Sequence, residues 1–122
     1  MNYQERLKQI KIENHIWIIY LLIIILSYYS NYFEKDFFIT KNETSKNTYR
    51  KLNSLIFIIL VIIYGYFENE AIKSFIKKDK SKKQQNYDTL SLIASTAVLI
   101  SGIIFLYIIL NDEDIGTEIA FN

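Results

Sequence analysis

The 122-residue chain has no cysteine, no proline, one histidine and three glycines. Without cysteine it can form neither a disulfide nor a thiolate metal site, and it holds no cysteine nucleophile. A single histidine is too few for the usual histidine-based zinc centres. No helix is forced to kink by proline. A surplus of one charge is missing as well: fourteen Lys and Arg stand against thirteen Asp and Glu, a net charge of +1. A nucleic-acid-binding face needs a marked basic excess, so no nucleic-acid partner is expected. There is no P-loop, no GxGxxG, no potassium-channel filter motif and no Ser/His/Asp set in one plausible pocket, which argues against an enzyme and implies no cofactor.

Charge is also missing from three long stretches, and this absence organises the chain. Half of the residues (51%) are hydrophobic, yet mean hydropathy is only +0.11, because Lys, Asp and Glu crowd the segments between the apolar runs. Residues 14–33 and 89–111 are uncharged over 20 and 23 positions, long enough to cross the ~30 Å hydrocarbon layer of a bilayer as helices. Residues 52–67 offer only 16, roughly 24 Å of helix, so this span needs snorkelling Arg50 and Lys51 and local thinning at its ends. Helices of a water-soluble bundle carry a polar stripe every three or four residues. Residues 21–25 and 56–63 are apolar on every side. The stretch after the first run has no A-x-A-like cleavage pattern, so a retained anchor is expected rather than a signal peptide.

The sequence therefore predicts an all-α integral membrane protein with three transmembrane helices and short interfacial amphipathic extensions. Residues 1–122 form one membrane domain with spans near 14–33, 52–69 and 89–111, a basic cytoplasmic loop near 70–88 and an acidic tail at 112–122. The extensions are read from apolar residues recurring at three or four positions: Tyr3, Leu7 and Ile10 before the first span, and Ile72, Phe75 and Ile76 after the second. Nine Lys and Arg flank the spans on the side of the N-terminus and second loop, against five on the other. This predicts a multi-pass cell-membrane protein with its N-terminus cytoplasmic and its C-terminus external. Trp17 then falls at the inner interface and Tyr28, Tyr29 and Tyr32 at the outer one.

Four groups of residues stand out within this frame. In the third span Ser91, Ser95 and Gly102 form one stripe of small residues, and Ala94, Ala97 and Ser101 another beside it. Small residues let helix backbones approach closely in lipid, which predicts packing within the chain, self-association, or both. The third helix is accordingly expected to be the central packing element, with Gly102 at its closest approach. In the first span Tyr20, Ser27 and Asn31 share a face and could line a pore. Lys73, Lys77, Lys78, Lys80, Lys82 and Lys83 form a basic stretch beyond the second span that sets orientation and faces anionic lipid.

The fourth group is acidic: Asp112, Glu113, Asp114 and Glu118. It matches no EF-hand spacing and reads as a solvated end rather than a metal site. No Asp, Glu, Lys or Arg occupies the middle of a span, where most ion-coupled transporters keep an ionisable group. His15 beside Glu13, and Glu68 near the inner end of the second span, read as interfacial anchors, with a proton-gated role the sharper alternative. Asn42, Glu43 and Thr44 make a glycosylation sequon of low specificity. The functional expectation is a small non-enzymatic membrane protein that acts as an oligomerising or accessory subunit. Its partners would be the lipid bilayer and either copies of itself or a larger membrane protein. The alternative is an oligomeric pore or membrane-permeabilising effector of the holin or defence type.

Overall fold

A computed structural model describes residues 3–112. Among them are three α-helices and no strand: α1 (Tyr3–Thr40), α2 (Glu43–Ile76) and α3 (Lys82–Asn111). All three are long and apolar enough to cross a membrane. No proline interrupts any of them, and α1 and α2 extend well past their apolar runs because the flanking amphipathic stripes continue the same helix. Tyr3, Leu7 and Ile10 belong to α1, and Ile72, Phe75 and Ile76 to α2, with no break before them. The expected loop at 70–88 shrinks to residues 77–81, and the polar region between the first two spans to residues 41–42. The acidic tail beyond Asp112 lies outside the described residues.

The described chain divides into two compact units, with the boundary inside α2 between Ile56 and Phe57. In the first, the chain reverses over two residues whose chemistry is local. Lys41 takes the left-handed conformation (φ 60°) that ends many helices, and its N–H donates to the Phe37 carbonyl at 2.7 Å. Asn42 then starts α2 by accepting from the Thr44 N–H at 2.9 Å, a cap for one of the donors a helix N-terminus leaves free. The Ser45 hydroxyl donates to the Asp36 carboxylate, tying the two helix ends together. The ammonium groups of Lys41 and Lys46 sit 5.6 and 5.5 Å from the centroid of the Phe37 ring. The sequon asparagine is thus a helix cap.

In the second unit the turn is held by charge. Asp79 is left-handed (φ 63°), and Ser81 caps α3 by accepting from the Gln84 N–H at 3.1 Å. The Lys80 ammonium donates both to the Ser74 carbonyl at the end of α2 and to the Asp88 carboxylate in α3. Gln84 donates to the other Asp88 oxygen at 3.0 Å. The Lys80 hydrogen bond first, and the Gln84 bond second, hold the Asp88 carboxyl below the usual aspartate range.

The buried positions follow helical seams. On α1 they are Ile16, Ile23 and Ser30, seven apart. On α2 Ser45, Tyr49, Asn53, Ile56, Leu60 and Ile63 recur at three or four. On α3 Asp88, Gly102 and Ile109 fall on one seven-residue series, the spacing of helices packed nearly along each other. Contrary to the expectation for α3, the most enclosed helix is α2: 28% of its most apolar window is buried, against 11% for α1 and for α3. Its uncharged run of 16 residues is the shortest of the three, and α2 contributes residues to both units.

Candidate functional site

The first unit contains a neutral polar clamp. Ser30 on α1 donates its hydroxyl to the Asn53 side-chain oxygen on α2 at 2.6 Å, with Ser30 fully buried and Asn53 1% exposed. In a lipid-facing helix an unpaired hydroxyl or amide at such depth has no water to turn to, so the pair fixes which faces of α1 and α2 meet. The expected polar face of α1 is divided. Tyr20 and Ser27 are half-buried, Asn31 is exposed, and the Ser27 hydroxyl is enclosed without a hydrogen-bond partner. Ser30, one helical turn from Ser27, is the residue that matters for packing, and no spacing rule on α1 alone distinguishes it.

The second unit is a helix hairpin whose register can be followed down its length. Phe57 meets Phe105 edge to face, with ring centroids 5.9 Å apart. Gly102 faces Tyr64 and Val61: a Cβ built on it would lie 2.9 Å from Tyr64 Cδ2 and 3.4 Å from Val61 Cγ2. One turn further, Glu68 turns its carboxylate to α3. Ser95 donates its hydroxyl to Oε2 at 2.8 Å, and Thr96 donates to Oε1 at 2.7 Å. The Ser95 oxygen also lies 3.2 Å from the Leu92 carbonyl within its own helix. Glu68, read from sequence as an interfacial anchor, is therefore a contact between helices, and Thr96 enters the site without having been singled out.

The small residues of α3 separate into two sets. Gly102 is buried and Ser95 half-buried, both engaged with α2, whereas Ser91, Ala94, Ala97 and Ser101 are exposed. Ala97 and Ser101, with Val98, Gly102, Phe57, Tyr64 and Phe105, line a groove of about 200 Å³ on this hairpin. Its Ser101 hydroxyl is turned back to the Ala97 carbonyl at 2.9 Å, so the groove presents mainly apolar atoms. The Ser95 stripe thus serves the hairpin, and the Ala97 stripe is open.

Of the basic residues, Lys77, Lys78, Lys82 and Lys83 are exposed. Exposed Lys73 pairs with half-buried Glu70 at 3.5 Å, and Lys80 is committed to Ser74 and Asp88. His15 is exposed, with Nδ1 2.8 Å from the Lys11 carbonyl, and Glu13 lies 3.6 Å from Arg6. Trp17, Tyr28, Tyr29 and Tyr32 are all exposed, as rings at a membrane–water boundary need to be. Among the described residues no group of three or more His, Asp or Glu could hold a metal ion. No family model, curated protein or solved structure matches the chain.

Proposed function

We propose that the protein is a non-enzymatic subunit of a membrane assembly, joined to copies of itself or to a larger membrane protein through the open face of α3. The observation that carries this reading is the division of the small residues: α2 engages Ser95 and Gly102 and leaves Ala97 and Ser101 exposed beside an apolar groove. In lipid, apolar burial gives no net drive to helix association, so close packing at small side chains carries it. A stripe of this kind that the chain's own hairpin does not fill fits a partner helix. The charge balance across the spans supports a cell-membrane orientation with the N-terminus inside and the C-terminus outside. The pore alternative draws less support, because Tyr20, Ser27 and Asn31 do not share one open face.

The test is association in mild detergent. Wild type should run as an oligomer or co-purify with a partner. Ala97→Leu fills the groove from the exposed side and should lose that association while keeping its helicity. Ile104→Leu, at an exposed position outside the groove lining, should be silent. A strictly monomeric wild type with no partner overturns the proposal.

A further inference from the structure

The Glu68 carboxylate is placed more deeply than its own helix suggests. On α2 it directly follows the uncharged run 52–67, but its partner Ser95 lies seven residues past Asp88, the last charge before the uncharged run 89–111 of α3. Seven residues are ~10 Å of helix and the run is ~34 Å long. The carboxylate therefore lies about a third of the way along the most apolar helix of the chain. Among the described residues Glu68 takes no part in the ion pairs Arg6–Glu13, Lys73–Glu70 and Lys80–Asp88. Intramembrane carboxylates of this sort are costly and mark functional sites. One carboxylate and two hydroxyls supply a single negative charge, and among the described residues Glu68 belongs to no group of three or more acidic or histidine side chains that could hold a metal ion. A divalent cation takes six to eight oxygen ligands, usually with several carboxylates.

We infer that Glu68 is a reversible proton-binding site within the α2–α3 hairpin, an inference that rests on α3 crossing a membrane. The decisive geometry is the double reach of Ser95. With the carboxylate ionised, Ser95 and Thr96 each donate to one of its oxygens. When a proton from hydronium adds to Oε2, leaving water behind, the new O–H donates to Ser95 Oγ. The Ser95 hydrogen then turns to the Leu92 carbonyl, 3.2 Å away, and Thr96 continues to donate to Oε1. Both states are satisfied by rotation of one hydroxyl, with no movement of either helix. The other ionisable groups of this unit around the site are Tyr64, Tyr66, Glu70 and Lys73 on α2, with Asp88 and Lys80 two turns below Ser95. Lys73 is paired with Glu70, and Lys80 with Asp88.

The full chain reconstituted in phosphatidylcholine vesicles should be treated with dicyclohexylcarbodiimide, which enters lipid and reacts with protonated carboxyls, and the adduct located by peptide mass spectrometry. Labelling is expected at Glu68, lost in Glu68→Gln, and falling about tenfold per pH unit above its midpoint. Ser95→Ala should move that midpoint and Ser95→Thr restore it. A water-soluble carbodiimide should modify Glu70 and spare Glu68. Glu68 unlabelled at every pH, or a midpoint indifferent to Ser95→Ala, overturns the proton site. Equal modification of Glu68 by the water-soluble reagent overturns instead the membrane depth on which it rests. Protection by sodium at constant pH overturns the proton as ligand in favour of a metal cation.

Discussion

Ser30–Asn53 in the first unit and Glu68–Ser95–Thr96 in the second are both hydrogen-bonded contacts between apolar helices, but they differ in charge and enclosure. The first is neutral and almost inaccessible, at 0% and 1% exposure. The second is anionic and only half-buried. A neutral hydroxyl–amide pair completes its bonding once and then has a single best register, so it can serve as a structural clamp. A carboxylate beside two hydroxyls has two protonation states to satisfy and room to alternate between them. The two units also differ in how closely the helices meet: the second is built around a glycine under a tyrosine ring, and nothing comparable occurs on the described seam of the first.

The strongest way to break this comparison is to overfill the glycine contact. Gly102→Leu places a side chain where even a Cβ would be 2.9 Å from the Tyr64 ring. Overpacking of this kind costs about 1–3 kcal/mol and sometimes more. Unfolding of the full chain by sodium dodecyl sulfate in mixed micelles, followed by circular dichroism, should show a loss at the upper end of that range. Gly65, with nothing within 4 Å of its would-be Cβ, is the control: Gly65→Ala should be neutral or slightly stabilising in the same assay. An equal loss at both glycines would mean that helix propensity, and not the Tyr64 contact, sets the response.

A smaller effect distinguishes the two polar contacts. Asn53→Ala leaves the buried Ser30 hydroxyl without its acceptor and should cost ~1 kcal/mol, since interhelical hydrogen bonds in membrane proteins average ~0.6 and reach ~1.7 kcal/mol. Adding Ser30→Ala should recover part of that loss, a coupling that a double-mutant cycle measures directly. Glu68→Gln keeps an oxygen for Thr96 and offers an N–H to Ser95, so it should cost less than Asn53→Ala. Should Glu68→Gln prove the more damaging of the two, the carboxylate is the clamp and the contrast drawn between the units is reversed.

The three helices were legible because length and uninterrupted apolarity are local properties of the chain. Their ends were not: Ile72, Phe75 and Ile76 look the same in sequence whether they lie along an interface or continue a helix. The polar contacts were hidden for a different reason. Asn53 sits at the edge of an apolar run, and only the register of α1 against α2 reveals that Ser30, rather than Ser27 or Asn31, is its partner. Glu68 gave a partial signal, because Ser95 and Thr96 are adjacent hydroxyls in an apolar helix and Asp88, Ser95, Gly102 and Ile109 are evenly seven apart. Reading that series as a seam would have aimed Ser95 at a neighbouring helix. Naming Glu68 as what it meets still requires the hairpin register, which no local pattern encodes.

The mildest expected effect concerns the turn of the second unit, where a charged contact does act as a clamp. Lys80 joins the end of α2 to Asp88 in α3, and its hydrogen bond, reinforced by Gln84, lowers the Asp88 carboxyl below the ordinary aspartate value. A carboxyl lowered in the folded state binds fewer protons there than in the unfolded chain around its ordinary value of ~3.9. Its contribution is therefore complete above that value and lost as the pH falls through the lowered one. Acid titration of wild type should show the turn at residues 77–81 becoming more susceptible to proteolysis by an acid-active protease as the pH drops below the aspartate range. Lys80→Met removes the first cause of the shift, so its susceptibility should already be higher at the upper end of the protease's acid range and change less on further acidification. Glu68→Gln, far from the turn, should leave the wild-type acid profile of this segment unchanged. A Lys80→Met profile that parallels wild type would show that Ser81 capping holds the turn, and would leave the Lys80–Asp88 pair an incidental contact.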